Sequence, residues 1–188
     1  IKDEIKRPIT TYGLSSDADI YANNLSFDKM NSAYSLNYKN ENIGKVNLNA
    51  PGKHNILNSL AAIAIGFELG LNKQTIIEGI NSYQGVRRRF EIKGEVDGII
   101  VIDDYAHHPT EVLATIETAS VSWNRRIIAI FQPHLYSRTK EFYKDFAKAL
   151  IKSDVIIITD IYPAREKPIE GITGQLVYEE LKKNGHVD

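Results

Sequence analysis

Three short segments gather the side chains able to move protons and hold anions, and each sits at the end of an apolar run. The first, Asp103-Asp104-Tyr105-Ala106-His107-His108-Pro109, follows Ile99–Ile102. The second, Gln132-Pro133-His134-Leu135-Tyr136-Ser137-Arg138-Thr139, begins where the strand-like Arg126–Gln132 ends. The third, Asp160-Ile161-Tyr162-Pro163-Ala164-Arg165-Glu166, follows Val155–Ile158. Carboxylate, imidazole and guanidinium groups placed together can exchange protons and clamp small anions. A fourth place is the start of the helical pattern at Lys53, where His54, Asn55 and Asn58 stand. An asparagine amide donates and accepts at once, as a nucleotide base requires, and serves equally well as a helix cap.

Other readings of these residues compete. His107-His108 with Asp103 and Asp104 has the ligand types of a metal site. Adjacent residues point apart, however, and the i, i+4 spacing of helical metal motifs is missing, so no metal site is assigned. His108 before Pro109 reads as a helix entrance as readily as a binding residue. Arg87-Arg88-Arg89 is either a solvated charge run or an anion contact beside a domain boundary. No GxxxxGK[ST], GxGxxG or GxSxG occurs, which excludes a P-loop, a dinucleotide fingerprint and a hydrolase elbow within this chain. Gly171-Ile172-Thr173-Gly174 reads only as a helix entrance.

The elements that must position these groups follow from periodicity. Ile20, Ala22 and Leu25–Phe27 form a strand; Tyr34–Lys39 and Ile43–Leu48 form two more, joined by Asn40-Glu41-Asn42. Ile56, Leu60, Ile63 and Phe67 recur at helical spacing over Lys53–Leu69, with Gly70 as the stop, and Lys73–Tyr83 is a second helix. After Gly85 the texture changes. Phe90–Gly94 and Ile99–Asp103 pair as a hairpin across Val96-Asp97-Gly98. A helix from Pro109 to Trp123, a buried strand Arg126–Gln132, a helix Ser137–Lys152, a buried strand Val155–Asp160 and a helix Thr173–Asn184 then alternate. That order predicts an α/β domain with a mostly parallel sheet, whose ligands gather at the carboxyl ends of the strands. The boundary is expected near residues 84–88.

Composition narrows the class further. The 188 residues carry 23 basic and 24 acidic side chains, 8 of each sign in 1–84 and 15 and 16 in 85–188, so neither part has the excess a nucleic-acid surface needs. There is no cysteine, no apolar run of membrane-spanning length and no signal-peptide pattern in the polar start IKDEIKRPIT. A cytoplasmic protein without membrane insertion is expected. Ile1 at the start, Met30 as the only methionine and the abrupt Gly185-His186-Val187-Asp188 end predict a segment of something longer.

The ordered set GKHNILNSLAAIAI (52–65), GVRRRFE (85–91), DDYAHHPTEV (103–112), FQPHLYSRT (131–139) and DIYPAREKPIEGITG (160–174) resembles the Mur ligases of peptidoglycan synthesis. Within that family, DDYAHHPTE followed by FQPH-x-YSRT is similar to the branch that adds L-alanine to UDP-N-acetylmuramate. The resemblance implies that residues 1–84 are the last part of a central ATP-binding domain. Residues 85–188 would be a truncated Rossmann-like, amino-acid-binding domain. It implies an ATP- and Mg²⁺-dependent carbon–nitrogen ligase that proceeds through an acyl phosphate. The P-loop, the carbamylated lysine and the Mg²⁺ ligands would lie upstream, so this chain alone would be inactive without the missing N-terminal domains. By position, His54, Asn55 and Asn58 would meet adenine, Arg89 the ATP phosphates across the domain cleft, and Asp104 and Tyr105 the ribose. His107, His134 and Arg138 would line the amino-acid pocket, with Arg138 clamping a carboxylate; Arg89, His107 and Arg138 are the residues expected to act in catalysis. Arg87 and Arg88 would be hinge-side charges without a ligand. Some relatives have Arg where this chain has Leu135, which leaves Arg138 as the anion contact there. The alternatives are a recycling ligase that attaches a murein tripeptide to the same sugar nucleotide, and a binding module without catalysis.

Overall fold

A computed structural model describes residues 4–186. Ile1 and the Val187-Asp188 end, which bear on the expectation of an excised segment, lie outside the described residues. The chain divides into two compact units, 1–86 and 87–188.

In the first unit, strands β1 (Tyr12–Gly13), β2 (Ile20–Asp28), β3 (Asn31–Tyr38) and β4 (Glu41–Leu48) form one sheet in that order. β1 runs parallel to β2, and the remaining pairs are antiparallel. The hairpin between β3 and β4 is tighter than the Asn40-Glu41-Asn42 turn expected from sequence. Tyr38 pairs with Glu41, leaving a two-residue turn in which Lys39 and Asn40 both take positive φ, 50° and 66°. That is the turn geometry whose twist matches antiparallel strands. Helices α1 (Lys53–Glu68) and α2 (Lys73–Asn81) cover the sheet. Ile56, Leu60 and Ile63 of α1 and Ile76 of α2 bury against Ile20, Leu36 and Val46. Deep in this core the Tyr34 hydroxyl is bonded at 2.6 Å to the Ser59 hydroxyl, and burial pushes the Tyr34 pKa up to about 12.

The second unit is α/β. β5 (Glu91–Val96) and β6 (Ile99–Asp103) make an antiparallel hairpin through Asp97-Gly98, both at positive φ. α3 (Pro109–Ser122), β7 (Ile128–Phe131), α4 (Tyr136–Leu150), β8 (Val155–Ile158) and α5 (Gln175–Lys183) follow, with β7 and β8 parallel. The expected sheet is thus present as two pairs, with no ladder between β6 and β7 among the described residues. An apolar cleft of about 680 Å³ separates them, lined by Ile100, Ile102, Ile116, Trp123 and Ile128 among others.

The expectation that β7 and β8 are buried strands is corrected. Ala129 and Phe131 face Val112, Phe146, Leu150 and Val177, whereas Ile128 is 56% and Ile130 71% exposed. One face of this pair is packed by helices and the other is open, which an unbroken apolar run does not distinguish from burial on both faces. Gly174 is required where α5 begins. A Cβ there would lie 2.5 Å from the Thr159 carbonyl oxygen, so only glycine lets the helix start so close to the end of β8.

Candidate functional site

The site forms where the loops after β6, β7 and β8 meet. After β6, the Asp104 carboxylate organises the backbone. One oxygen accepts from the Phe90 amide (2.9 Å) and the Thr115 hydroxyl (3.1 Å), and the other from the Ala106 amide (2.8 Å). Arg88 and Phe90 take the left-handed conformation, with φ of 57° and 52°. The turn they make aims the Arg88 carbonyl at the Tyr105 amide (2.8 Å) and buries the Phe90 ring flat against Trp123, 5.8 Å between centroids. Arg88 pairs with Asp103 at 3.3 Å and lies over the Tyr105 ring at 5.0 Å, so it has structural partners of its own.

α3 opens with a capping box. The His108 ring accepts from the Thr110 amide, and Glu111 in the first turn accepts from the His107 and His108 amides at 3.0 and 3.1 Å. The same carboxylate stands 3.6 Å from His107 Nδ1 and 3.8 Å from Arg89. Partial burial alone would raise the Glu111 carboxyl, but the two backbone amides and the charges of His107 and Arg89 outweigh it and hold the group below the usual carboxylate range. His108 turns the other way, its ring 5.2 Å from Phe142 of α4. The two adjacent histidines therefore do point apart.

After β7 the chain continues its pairing with the loop after β8. Tyr162 donates its amide to Pro133 (2.8 Å) and accepts from the Leu135 amide (2.9 Å), and His134 pairs with Tyr162 as a parallel bridge. The His134 and Tyr162 rings stack at 5.6 Å and 20°. Leu135 sits at φ 73° as the residue before α4, and its carbonyl receives the Thr139 amide and hydroxyl. The first turn of α4 is held by Glu166, which accepts from the Ser137 hydroxyl (2.5 Å) and amide (2.9 Å). Those two bonds, the hydroxyl first, lower the Glu166 pKa.

This geometry brings together three of the residues singled out from sequence. The His107 and His134 rings are 5.9 Å apart. Arg138 Nη1 donates to His134 Nδ1 at 3.2 Å and to the His107 carbonyl at 3.5 Å. Tyr105, half exposed, borders His107 with its ring at 5.0 Å. Burial, then the charges of Arg138 and His107, pull the His134 pKa down against the opposing pull of Glu166. The arrangement is a cationic corner with two imidazoles, suited to a small anion and to proton transfer. The apolar cleft lies beside it, lined by Asp104 and Ala106 but not by His107, His134 or Arg138.

The remaining candidates lie in the first unit or are engaged otherwise. His54 and Asn55 are half-buried and Asn58 exposed at the start of α1. Asn55 donates to the Pro51 carbonyl at 2.7 Å and accepts from Asn58 at 3.4 Å, which is the local, helix-starting role. Among the described residues no group of three or more His, Cys, Asp or Glu could hold a metal. Three residues of the site were given no individual role from sequence: Glu111, and Tyr162 and Glu166 within the third polar segment. Glu111 was recoverable, being the acidic residue three places after a helix entrance. Tyr162 acts through strand pairing and Glu166 through its bonds to Ser137, and neither tie has a local signal.

Residues 88–188 match the family described as Mur ligase, glutamate ligase domain, and residues 1–66 match the Mur ligase middle domain. Proteins named UDP-N-acetylmuramate–L-alanine ligase from Geotalea daltonii and Geotalea uraniireducens are each 45% identical, over 181 and 184 residues that cover 96% and 98% of this chain. The chain spans only 40% of the length of either relative. A crystal structure of a UDP-N-acetylmuramate–alanine ligase from Thermotoga maritima superposes with a TM-score of 0.75 at 30% identity, covering 94% of this chain and 37% of that one.

Proposed function

The chain belongs to the Mur ligase family, and from that premise we propose that it is the central-to-C-terminal portion of an enzyme joining L-alanine to UDP-N-acetylmuramate. In this reading ATP phosphorylates the muramoyl carboxylate, and the amine of L-alanine attacks the acyl phosphate to form an amide, in the cytoplasmic stage of peptidoglycan synthesis. The single observation that carries it is the convergence of His107, His134 and Arg138 at the strand ends of the second unit. The guanidinium donates to His134 and to the His107 backbone through Nη1, and its other N–H groups make no hydrogen bond among the described residues. That leaves a planar fork for the carboxylate of the incoming amino acid. The similarity to ligases named for L-alanine supports this amino acid over a tripeptide.

The residues present fit part of the nucleotide. Asn58 offers an exposed amide for the base, and Arg89, 58% exposed, a cation for the phosphates. The three bonds that Asp104 receives make it the frame on which Tyr105 is presented to the ribose. The phosphate cradle and the Mg²⁺ ligands belong, in this proposal, to residues outside this chain, so the isolated 188 residues bind ATP weakly and do not turn over. The test is phosphate release by the complete enzyme with ATP, Mg²⁺ and UDP-N-acetylmuramate, comparing L-alanine, glycine, L-serine and the murein tripeptide. Fastest turnover with L-alanine, lost on Arg138→Ala, is the expected result. Preference for the tripeptide would assign the recycling reaction instead, and no turnover with any of them would favour a binding module.

A further inference from the structure

We propose that His107 and His134 are locked in opposite tautomers, Nδ1–H in His107 and Nε2–H in His134, giving the site a proton acceptor and a proton donor side by side. The assignment comes from the partners, each of which has only one role. His107 Nδ1 lies 2.9 Å from the Tyr105 carbonyl oxygen, which can only accept, and 3.6 Å from the Glu111 carboxylate, which is ionised. Both demand a proton on Nδ1, so when the ring is neutral its lone pair lies on Nε2. His134 Nδ1 lies 3.2 Å from Arg138 Nη1, which can only donate. That nitrogen is therefore unprotonated, and the proton of the neutral ring sits on Nε2. Neither Nε2 has a hydrogen-bond partner among the described residues, so both remain available to a ligand.

The pair gives the amide-forming step a direction; the substrate assigned to it rests on the function proposed above. The ammonium of the incoming amino acid gives one proton to His107 Nε2. The freed lone pair forms the C–N bond to the acyl carbon, the C–O bond to phosphate breaks, and phosphate leaves with that electron pair. The second nitrogen proton passes to water as the tetrahedral adduct collapses, and His107 returns its own proton to water. Glu111, held ionised beside Nδ1, offsets the charge of the transient imidazolium, as a carboxylate behind a catalytic histidine does in other acyl transfers. His134 cannot share that duty, because Arg138 faces its free nitrogen and opposes a second charge on the ring. It instead donates Nε2–H to the carboxylate that Arg138 clamps. Tyr162 keeps the His134 ring in place by stacking on it.

The first test uses the 188-residue chain itself, with ¹⁵N-histidine labelling and two-bond ¹H–¹⁵N correlation at pH 7.5. The expected spectrum assigns the bound proton to Nδ1 in His107 and to Nε2 in His134. Two rings of the same tautomer, or a doubly protonated His134, overturns the proposal. The second test is kinetic, in the complete enzyme. His107→Ala lowers kcat by about 10²–10⁴-fold, the usual range for a lost general base, with the KM for ATP unchanged. His134→Ala chiefly raises the KM for the amino acid. Opposite tautomers with an unaffected kcat in His107→Ala overturns the acceptor role alone. Opposite tautomers in an enzyme that accepts no amino acid overturns the proposed function and the acceptor role, and leaves the tautomer assignment standing.

Discussion

The loops after β6 and β7 each carry one histidine of the site, yet they are held by opposite means. The loop 103–111 is secured from within: Asp104 takes the Ala106 amide two residues on, Tyr105 and His107 bond across two residues, and Glu111 reaches back to His107 and His108. Its more distant ties run to the Arg88–Phe90 turn, to Thr115 in the next helix and, at 3.5 Å, from Arg138 to the His107 carbonyl. The loop 132–138 has few such bonds. It is secured by a second loop, about 29 residues later, through Tyr162 and Glu166. The difference teaches that His107 is fixed by local chain chemistry and His134 by the register of β7 on β8. Damage to the first loop should therefore cost folding, and damage to the second should cost alignment.

The largest effect expected from that contrast is at Asp104. Asp104→Ala leaves the Phe90 and Ala106 amides without their acceptor at a part-buried position, while the Thr115 hydroxyl keeps the Glu111 carbonyl at 3.1 Å. The loss should be roughly 2–4 kcal/mol, since each orphaned donor costs about 1–3 and water recovers some of it. Urea denaturation of the chain measures it. An effect under about 0.5 kcal/mol would mean that the loop is not self-supporting.

Next in size is the pair of carboxylates that hold the helix starts. Glu111→Ala removes the back half of the α3 capping box, which should cost about 1 kcal/mol, in line with other lost caps. Glu166→Ala removes the corresponding support of Ser137 at α4, from a group that is only partly buried. Its cost in stability should be smaller than that of Glu111→Ala, and its main consequence should be a raised KM for the amino acid through a displaced Arg138. Denaturation midpoints and steady-state kinetics of the two variants separate these outcomes. A Glu166→Ala variant less stable than Glu111→Ala, with normal KM, would reverse the contrast.

The same contrast explains what was legible in the sequence. α1 was readable because Ile56, Leu60 and Ile63 recur on one helical face, and all three are fully buried. The α3 entrance was readable because histidine and proline occupy the cap and first helical positions, whereas the structure was needed to show that Glu111 completes the capping box and faces Arg89 and His107. The Lys39-Asn40 turn was misplaced by a residue or two, since lysine at positive φ carries no signal. Ile128 and Ile130 read as core but are exposed, because a short apolar run has the same appearance whether one or both faces are covered. Tyr162 and Glu166 lay in a segment singled out at a strand end, but their individual parts in the site were not legible. Their role depends on which residue of one strand lies beside which residue of the next, and that register is a tertiary fact.

The smallest effect, and the finest test of how the second loop is held, is the pH dependence contributed by His134. Burial lowers its pKa first, and the Arg138 and His107 charges lower it further. The unfolded chain, with an imidazole near the ordinary value of about 6.5, therefore binds more protons than the folded chain just below that pH. Stability contributed through His134 is missing at acid pH and is recovered as pH rises through the depressed folded value toward 6.5. His134→Gln should remove this component, so the difference between the parent and the variant denaturation midpoints should widen in the parent's favour from pH 5 to pH 7. Arg138→Ala removes the second cause and keeps the first, so the slope assigned to His134 should flatten without vanishing. A slope that Arg138→Ala leaves untouched would mean that the guanidinium does not face His134 Nδ1. That contact ties α4 to the loop after β7, and without it the histidine would be held by Tyr162 alone.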